Sequence, residues 1–529
     1  MTSTATEAKS EPTSGGRMPR QIPYIIANEG CERFSFYGMR NILTPFLISS
    51  LLVFVAQDQR ASEAKHVFHA FMMGVYFFPL LGGWLADRYF GKYNTIFWFS
   101  LIYCAGHACL AIFEHSVQGF YFGLFLIAFG SGGIKPLVAS FVGDQFDKTN
   151  KSKAKVVFDA FYWIINFGSF FASVSMPILL RDYGPSVAFG VPGILMFIAT
   201  IILWSGKKKY VHVPPAPADP HSFLRVVRTA LFAKQPGAGR PGLFIAAAGV
   251  LGVLASVVKA PEWGYLIAIC TGLVLLLACV GIGASMQLER ARGVHPDVAV
   301  DGVRSVLRLL IVFGLVTPFW SLFDQKASTW IVQANTMSTE VDLFGWTFEV
   351  LPAQMQALNP LLVMLLIPFN NLVLFPLLNK IGLVPTALRR MTAGIAFSAL
   401  AWIVVGHLQV QLDGGDAVSI AWQILPYALL TLGEVLVSAT GLEFAYSQAP
   451  SSMKGVIMAL WYLAVTVGNL WVLIVNQGVK NETVIARIEN SGVGVIAFQM
   501  YFFAGFAMLA ALAFGLYAKR YKMVDHYRA

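Results

Sequence analysis

The chain has 529 residues, of which 57% are hydrophobic and 12% charged, and its mean hydropathy is +0.64. That is half the charge of an ordinary soluble domain, about 25%, so a water-soluble globular protein is excluded; continuous apolar runs of about 20 residues, each able to cross about 30 Å of hydrocarbon, likewise exclude a β-barrel of short alternating strands. The formal charge of +10 is scattered among short loops, so it reports orientation in a membrane and argues against a nucleic-acid partner.

Residues 1–17 are rich in Ser, Thr, Glu and Gly and lack the apolar stretch of a signal peptide, which predicts a disordered cytoplasmic tail. The apolar runs that follow predict helices over 22–55, 66–86, 93–113, 119–142, 155–180, 186–205, 240–259, 264–287, 303–332, 355–379, 386–408, 420–447, 452–477 and 493–518. Fourteen crossings put both termini on one side. That side collects Arg17 and Arg20, Arg88 and Lys92, Lys148 to Lys155, Lys207 to Lys209, Arg290 and Arg292, Lys380 with Arg389 and Arg390, and Lys519 to Lys522. The positive-inside rule assigns it to the cytoplasm.

Two polar stretches interrupt the series: Gly206 to Gly239, with the Pro-rich VHVPPAPADP, and Gln287 to Arg304. They divide the chain into an N-terminal six-helix bundle (18–210), a cytoplasmic linker with an accessory two-helix hairpin (211–300), and a C-terminal six-helix bundle with a short cytoplasmic tail (301–529). An all-α membrane protein of 6 + 2 + 6 helices follows, and two parallel six-helix repeats are the plan of major facilitator transporters. Cys31, Cys104, Cys109, Cys270 and Cys279 are odd in number and carry neither a disulfide framework nor metal-ligand spacing.

The first apolar run contains EGCERFSFYG (29–38). A charge at mid-bilayer costs about 2.5–3.5 kcal/mol even on the lenient insertion scale. At about 100° per residue, Glu29, Glu32, Arg33, Phe36, Tyr37 and Arg40 share an arc of about 140°. The segment therefore spans, with its polar stripe facing a bundle interior or an aqueous cavity. A Glu29–Arg33 pair at i, i+4 would satisfy two of these groups, but it leaves Glu32 and Arg40 unexplained. Further along, His69, Tyr76, Lys135, Asn166, Asp324 and Glu434 lie in apolar runs, where carboxylates and a histidine can carry protons. Arg40 and Asp324 occupy the first helix of each bundle; Lys135 and Glu434 occupy the fourth. Each pair joins pseudo-equivalent helices across the centre, as gating ion pairs would. His107 stands alone in its span and reads as a packing residue. GSGGIK lacks the spacing of a phosphate loop, and its small residues suit close helix packing.

These motifs resemble a known family. GGWLADRYFGKY (82–93) is similar to the loop between helices 2 and 3 of the major facilitator superfamily. EGCERFSFYG closely resembles the ExxERFxYYG signature of the proton-dependent oligopeptide transporters, and FVGDQF, FYWIINFGSF, FWSLFDQ and GLEFAYSQAPSSMKG resemble further motifs of that family. The resemblance implies a proton-coupled symporter importing di- and tripeptides, multi-pass in the cell (inner) membrane and functional as a monomer. Its coupling ion would be the proton, with no other cofactor, no metal and no nucleic acid. It implies proton coupling by Glu29, Glu32 and Arg33, with Asp324 as a second protonation site and His69 matching a histidine of some members. Arg40 and Lys135 would lie near the peptide carboxylate, Glu434 would hold its amino terminus, and Tyr37, Tyr76, Asn166, Trp320, Asn359 and Trp461 would line the pocket. Phe36 stands where Tyr is common, and Asp324 where Glu is more frequent. The alternatives are a different solute, such as nitrate or a modified amino acid, a peptide sensor, or a membrane enzyme; no HExxH, GxSxG or paired intramembrane aspartates support the last.

Overall fold

The structure, a computed structural model, describes residues 18–146, 150, 153–215, 219–234, 239–343, 345–448, 453–479 and 481–521. The expected tail over 1–17 lies outside the described residues, as do 522–529. Among the described residues, thirteen helices are long and apolar enough to cross a membrane. The helix α1 (Ile22–Phe46) fails that measure because it carries Glu29, Glu32, Arg33 and Arg40. It is the fourteenth span. The others are α2 (Gln57–Phe90), α3 (Lys92–Ile112), α4 (Val117–Gly143), α5 (Val156–Tyr183), α6 (Pro185–Ser205), α7 (Pro241–Val258), α8 (Ile267–Met286), α9 (Asp297–Ala334), α10 (Pro352–Lys380), α11 (Ala387–Asp413), α12 (Ile420–Ala445), α13 (Gly455–Gly478) and α14 (Val495–Arg520).

The two halves repeat one packing scheme. α1 packs on α5 and α6, α3 on α4 and α6, and α2 on α4; correspondingly α9 packs on α13 and α14, α11 on α12 and α14, and α10 on α12. The halves meet along α2 with α13 and along α5 with α10, two contacts that are themselves equivalent under the repeat. Each bundle has its own apolar core, one around Phe46, Phe120 and Phe189, the other around Trp330, Trp402 and Phe503. The hairpin α7–α8 leans on the seam: Ile267 and Cys270 of α8 pack with Met73 of α2 and with Leu470 and Leu473 of α13.

Some boundaries differ from the sequence expectation for physical reasons. The first helix was expected to run to 55, but the α-helix ends at Phe46 and widens into a π-turn over Leu47–Leu51. Pro45 removes one ladder bond just before that point. Conversely, α2 starts at Gln57, nine residues before its apolar run. QDQRASEAK is polar yet rich in good helix formers, so the helix continues past the hydrocarbon. The linker contains a helix, Phe223–Phe232, that buries Val226, Val227, Ala230 and Leu231 against the second bundle. The acidic loop before α10 forms a β-hairpin, β1 (Glu340–Leu343) with β2 (Trp346–Glu349).

Small residues set the tightest crossing. A Cβ on Gly82 of α2 would fall 2.1 Å from Gly132 O of α4, so the two backbones touch there. His107 is fully buried with its Nε2 2.9 Å from Ser35 Oγ, while its Nδ1 has no partner among the described residues. All five cysteines are free.

Candidate functional site

The polar stripe of α1 points inward along its whole length. Glu29, Glu32, Arg33 and Arg40 are all buried, Glu32 completely. Arg33 Nε donates to Glu29 Oε1 at 2.7 Å. Glu32 Oε2 lies 2.7 Å from the same nitrogen, but neither of its oxygens has a hydrogen-bond partner among the described residues. One guanidinium thus serves two carboxylates. Arg40 stands two turns further on, about 10 Å along the axis, in a second cluster.

That cluster joins the bundles. Arg40 Nη2 donates to Asp324 Oδ1 at 2.8 Å, and Asn469 Nδ2 donates to Asp324 Oδ2 at 2.7 Å. Asn469 Oδ1 then faces His69 Nδ1 at 2.7 Å, while His69 Nε2 sits 2.8 Å from Ser328 Oγ. An amide oxygen can only accept, so Nδ1 carries the hydrogen and Nε2 is the nitrogen that gains or loses a proton. The expected pair Arg40–Asp324 is therefore formed, and His69 belongs to the same network. Asp324 sits where α9 breaks into the tight turn Asp324–Ala327, whose Ala327 carbonyl accepts from Thr44 Oγ1 at 2.7 Å. Asn41 O, which Pro45 leaves without its ladder partner, accepts from Gln356 Nε2 at 3.1 Å. Gln354 Nε2 donates to Val174 O at 3.1 Å, and Arg181 approaches Glu349 at 3.5 Å. These bonds between bundles lie in the half remote from the termini and close that end.

Lys135 and Glu434 are on α4 and α12 as expected, but this structure does not join them. Lys135 follows the break in α4 and points its Nζ over the Phe36 ring, 3.5 Å from the centroid, with Tyr76 at 4.8 Å. Glu434 ends the α-helical part of α12, immediately before a π-turn over Val435–Ala439, the kind of bulge that recurs at functional sites. Its Oε2 accepts from Asn359 Nδ2 at 2.6 Å, and Asn359 Oδ1 accepts from Lys326 Nζ at 2.8 Å. The cation serving Glu434 is thus a residue of its own bundle, through an amide.

The expected lining residues fall on both walls. Tyr37 and Tyr76 are half-buried on the first bundle, and Tyr76 stacks toward Tyr462 of the second, with centroids 6.2 Å apart. Asn166 is buried and donates to Tyr162 O at 3.0 Å. Trp320 and Trp461 meet edge to face, with centroids 5.9 Å apart, and Trp320 Nε1 has no partner among the described residues. Arg40 Nε is also buried without a partner among the described residues, a spare donor beside the one engaged by Asp324. The carboxylates of Glu29, Glu32, Asp324 and Glu434 stand among the cations Arg33, Arg40, Lys135 and Lys326 in these clusters, with a further buried cation, Lys65, on α2. Asn469, Ser328 and Lys326 were not anticipated. Asn469 and Lys326 are visible as polar residues in apolar runs, whereas Ser328 gives no signal.

A family model described as the POT family matches residues 93–491, and one described as MFS/sugar transport protein matches residues 3–181. Among solved structures, that of an auto inhibited POT family peptide transporter is 66% identical with a TM-score of 0.92, covering 97% of this chain and 99% of the other. The POT family transporter PepTSo is 65% identical with a TM-score of 0.93, covering 97% and 100%. Solute carrier family 15 member 2 of Oryctolagus cuniculus is 32% identical over 75% of this chain and 50% of its own, and peptide transporter 3 of Caenorhabditis elegans is 32% identical over 75% and 51%. The chain spans about half the length of the curated relatives it matches. With the family match running through both bundles and most of the chain, this multi-pass membrane protein belongs to the POT family.

Proposed function

We propose that the protein is a proton-coupled symporter of di- and tripeptides in the cell (inner) membrane, working by alternating access as a monomer. The observation that carries this reading is the charge layout of the interface. Arg40 with its spare Nε and Lys135 supply cations on one bundle, and the Asn359–Glu434 pair supplies an anionic site on the other. A zwitterionic peptide needs that dipole, with tolerant aromatic walls between its ends for varied side chains. Nitrate has no ammonium group for Glu434, so the layout favours peptides over the nitrate alternative.

The network suggests how the proton is used. While Asp324 is ionised, it holds Arg40 and the outer end stays closed. A proton reaching Asp324 releases Arg40 to the peptide carboxylate and lets the outer end open. Glu29, Glu32 and Arg33 hold a second place for a proton nearer the inner face.

The test is uptake of labelled dialanine by proteoliposomes under an inward proton gradient, with and without a protonophore. Accumulation that the protonophore abolishes is expected. No accumulation, with insertion and gradient verified, would replace this reading by another solute or by a sensor. In the same assay Glu434→Gln should weaken dialanine about tenfold to a hundredfold, the equivalent of one hydrogen bond to a charged group. A dipeptide with a blocked amino terminus should change little. Equal losses for both would remove Glu434 from amino-terminal recognition.

A further inference from the structure

Lys326 is an ammonium group held inside the protein with no carboxylate in direct contact. It is 3% exposed, and no acidic group among the described residues forms an ion pair with it. Its Nζ donates to Asn359 Oδ1 at 2.8 Å and rests 3.3 Å above the centre of the Phe323 ring. Asn359 passes the interaction on: its Nδ2 donates to Glu434 Oε2 at 2.6 Å and to Thr431 Oγ1 at 3.1 Å. An amide oxygen, an aromatic face and a nearby carboxylate are what the α-ammonium of a peptide would also require. Lys326 is carried on the irregular turn Asp324–Ala327, two residues from the partner of Arg40. Its head group can therefore be displaced without unwinding a regular helix.

Resting on the peptide reading above, we propose that Lys326 is a tethered occupant of the amino-terminal subsite. In the empty protein its ammonium group orients Asn359 and, through it, Glu434. An arriving peptide exchanges its own α-ammonium for that of Lys326, so selectivity for free amino termini reflects a competition between two like groups. Lys326 is in this sense a positioning residue that sets the affinity of the subsite. The exchange forms and breaks no covalent bond.

The experiment is dialanine counterflow in proteoliposomes at neutral pH, which needs no proton gradient, for wild type, Lys326→Gln and Lys326→Arg. The blocked dipeptide N-acetyl-dialanine is the comparison substrate. Lys326→Gln keeps a donor for Asn359 but removes the competing charge. Its half-saturating concentration for dialanine should fall about tenfold, the effect of one weak charge-assisted bond, with the acetylated peptide within twofold of wild type. Lys326→Arg should discriminate between the two substrates as wild type does. If the Gln variant does not fold, Lys326→Asn also removes the charge while keeping an amide donor and carries the same expectation. An unchanged or weakened response to dialanine in a folded variant overturns the competition, as does an equal shift for both substrates. Absence of dialanine exchange in wild type would instead overturn the peptide reading, and this proposal with it.

Discussion

Asp324→Asn is expected to abolish proton-driven accumulation of dialanine while leaving counterflow exchange measurable. Asparagine keeps the shape and one oxygen for Arg40, but it cannot carry the negative charge that now faces Arg40 Nη2 at 2.8 Å. Removing one partner of a buried pair costs about 3–5 kcal/mol, because the other charge stays buried and uncompensated. The loss falls on the state in which the pair exists, the one with its outer end closed. A penalty of that size moves the balance between closed and open by about two to nearly four orders of magnitude. Protonation can then no longer decide when the outer end opens, and the gradient has nothing to act on. The check is uptake under a gradient beside counterflow in the same vesicles. Wild-type accumulation by the variant would leave the Arg40–Asp324 pair a static strut.

Glu32→Gln should have an equally large effect by a different route. Arg33 gives its Nε hydrogen bond to Glu29, and Glu32 lies against the same nitrogen with both oxygens unpartnered and fully buried. One positive charge balances one carboxylate. In the proposed mechanism, the surplus group would be the one that takes up and releases the coupling proton. Glutamine removes the charge and keeps the volume, so the bundle should fold and exchange peptide. Accumulation above the external concentration should vanish at every external pH, with the half-saturating concentration in counterflow changed less than about threefold, under 1 kcal/mol. Gradient-driven uptake at the wild-type level would take Glu32 out of the coupling machinery.

Much of the fold was legible because the bilayer imposes its own length on each apolar run. The stripe on α1 was legible from helical arithmetic alone, and Arg40–Asp324 from the equivalence of the helices that carry them. The same equivalence places Lys135 and Glu434 on facing helices, but this structure does not join them. It says which helices face each other, but not which groups lie nearer. Glu434 precedes a π-turn that no composition rule announces, and Asn359 and Lys326 reach it from its own bundle. Asn469 connects His69 with Asp324 although its sequence neighbours are apolar, and a partner 400 positions away leaves no local trace. The linker helix was hidden by a stretch read as polar, yet its buried residues recur at the spacing of one helix face.

The equal numbers of carboxylates and cations in the two clusters bear on how the membrane voltage is felt. With Glu29, Glu32, Asp324 and Glu434 set against Arg33, Arg40, Lys135 and Lys326, the ionised empty carrier brings no net charge through the field from this set. On the proposed symport reading, a zwitterionic peptide would add none and each bound proton a single unit. A negative interior would then drive the loaded half of the cycle by about 2.3 kcal/mol per 100 mV for each proton carried, while the unloaded return would be electrically silent.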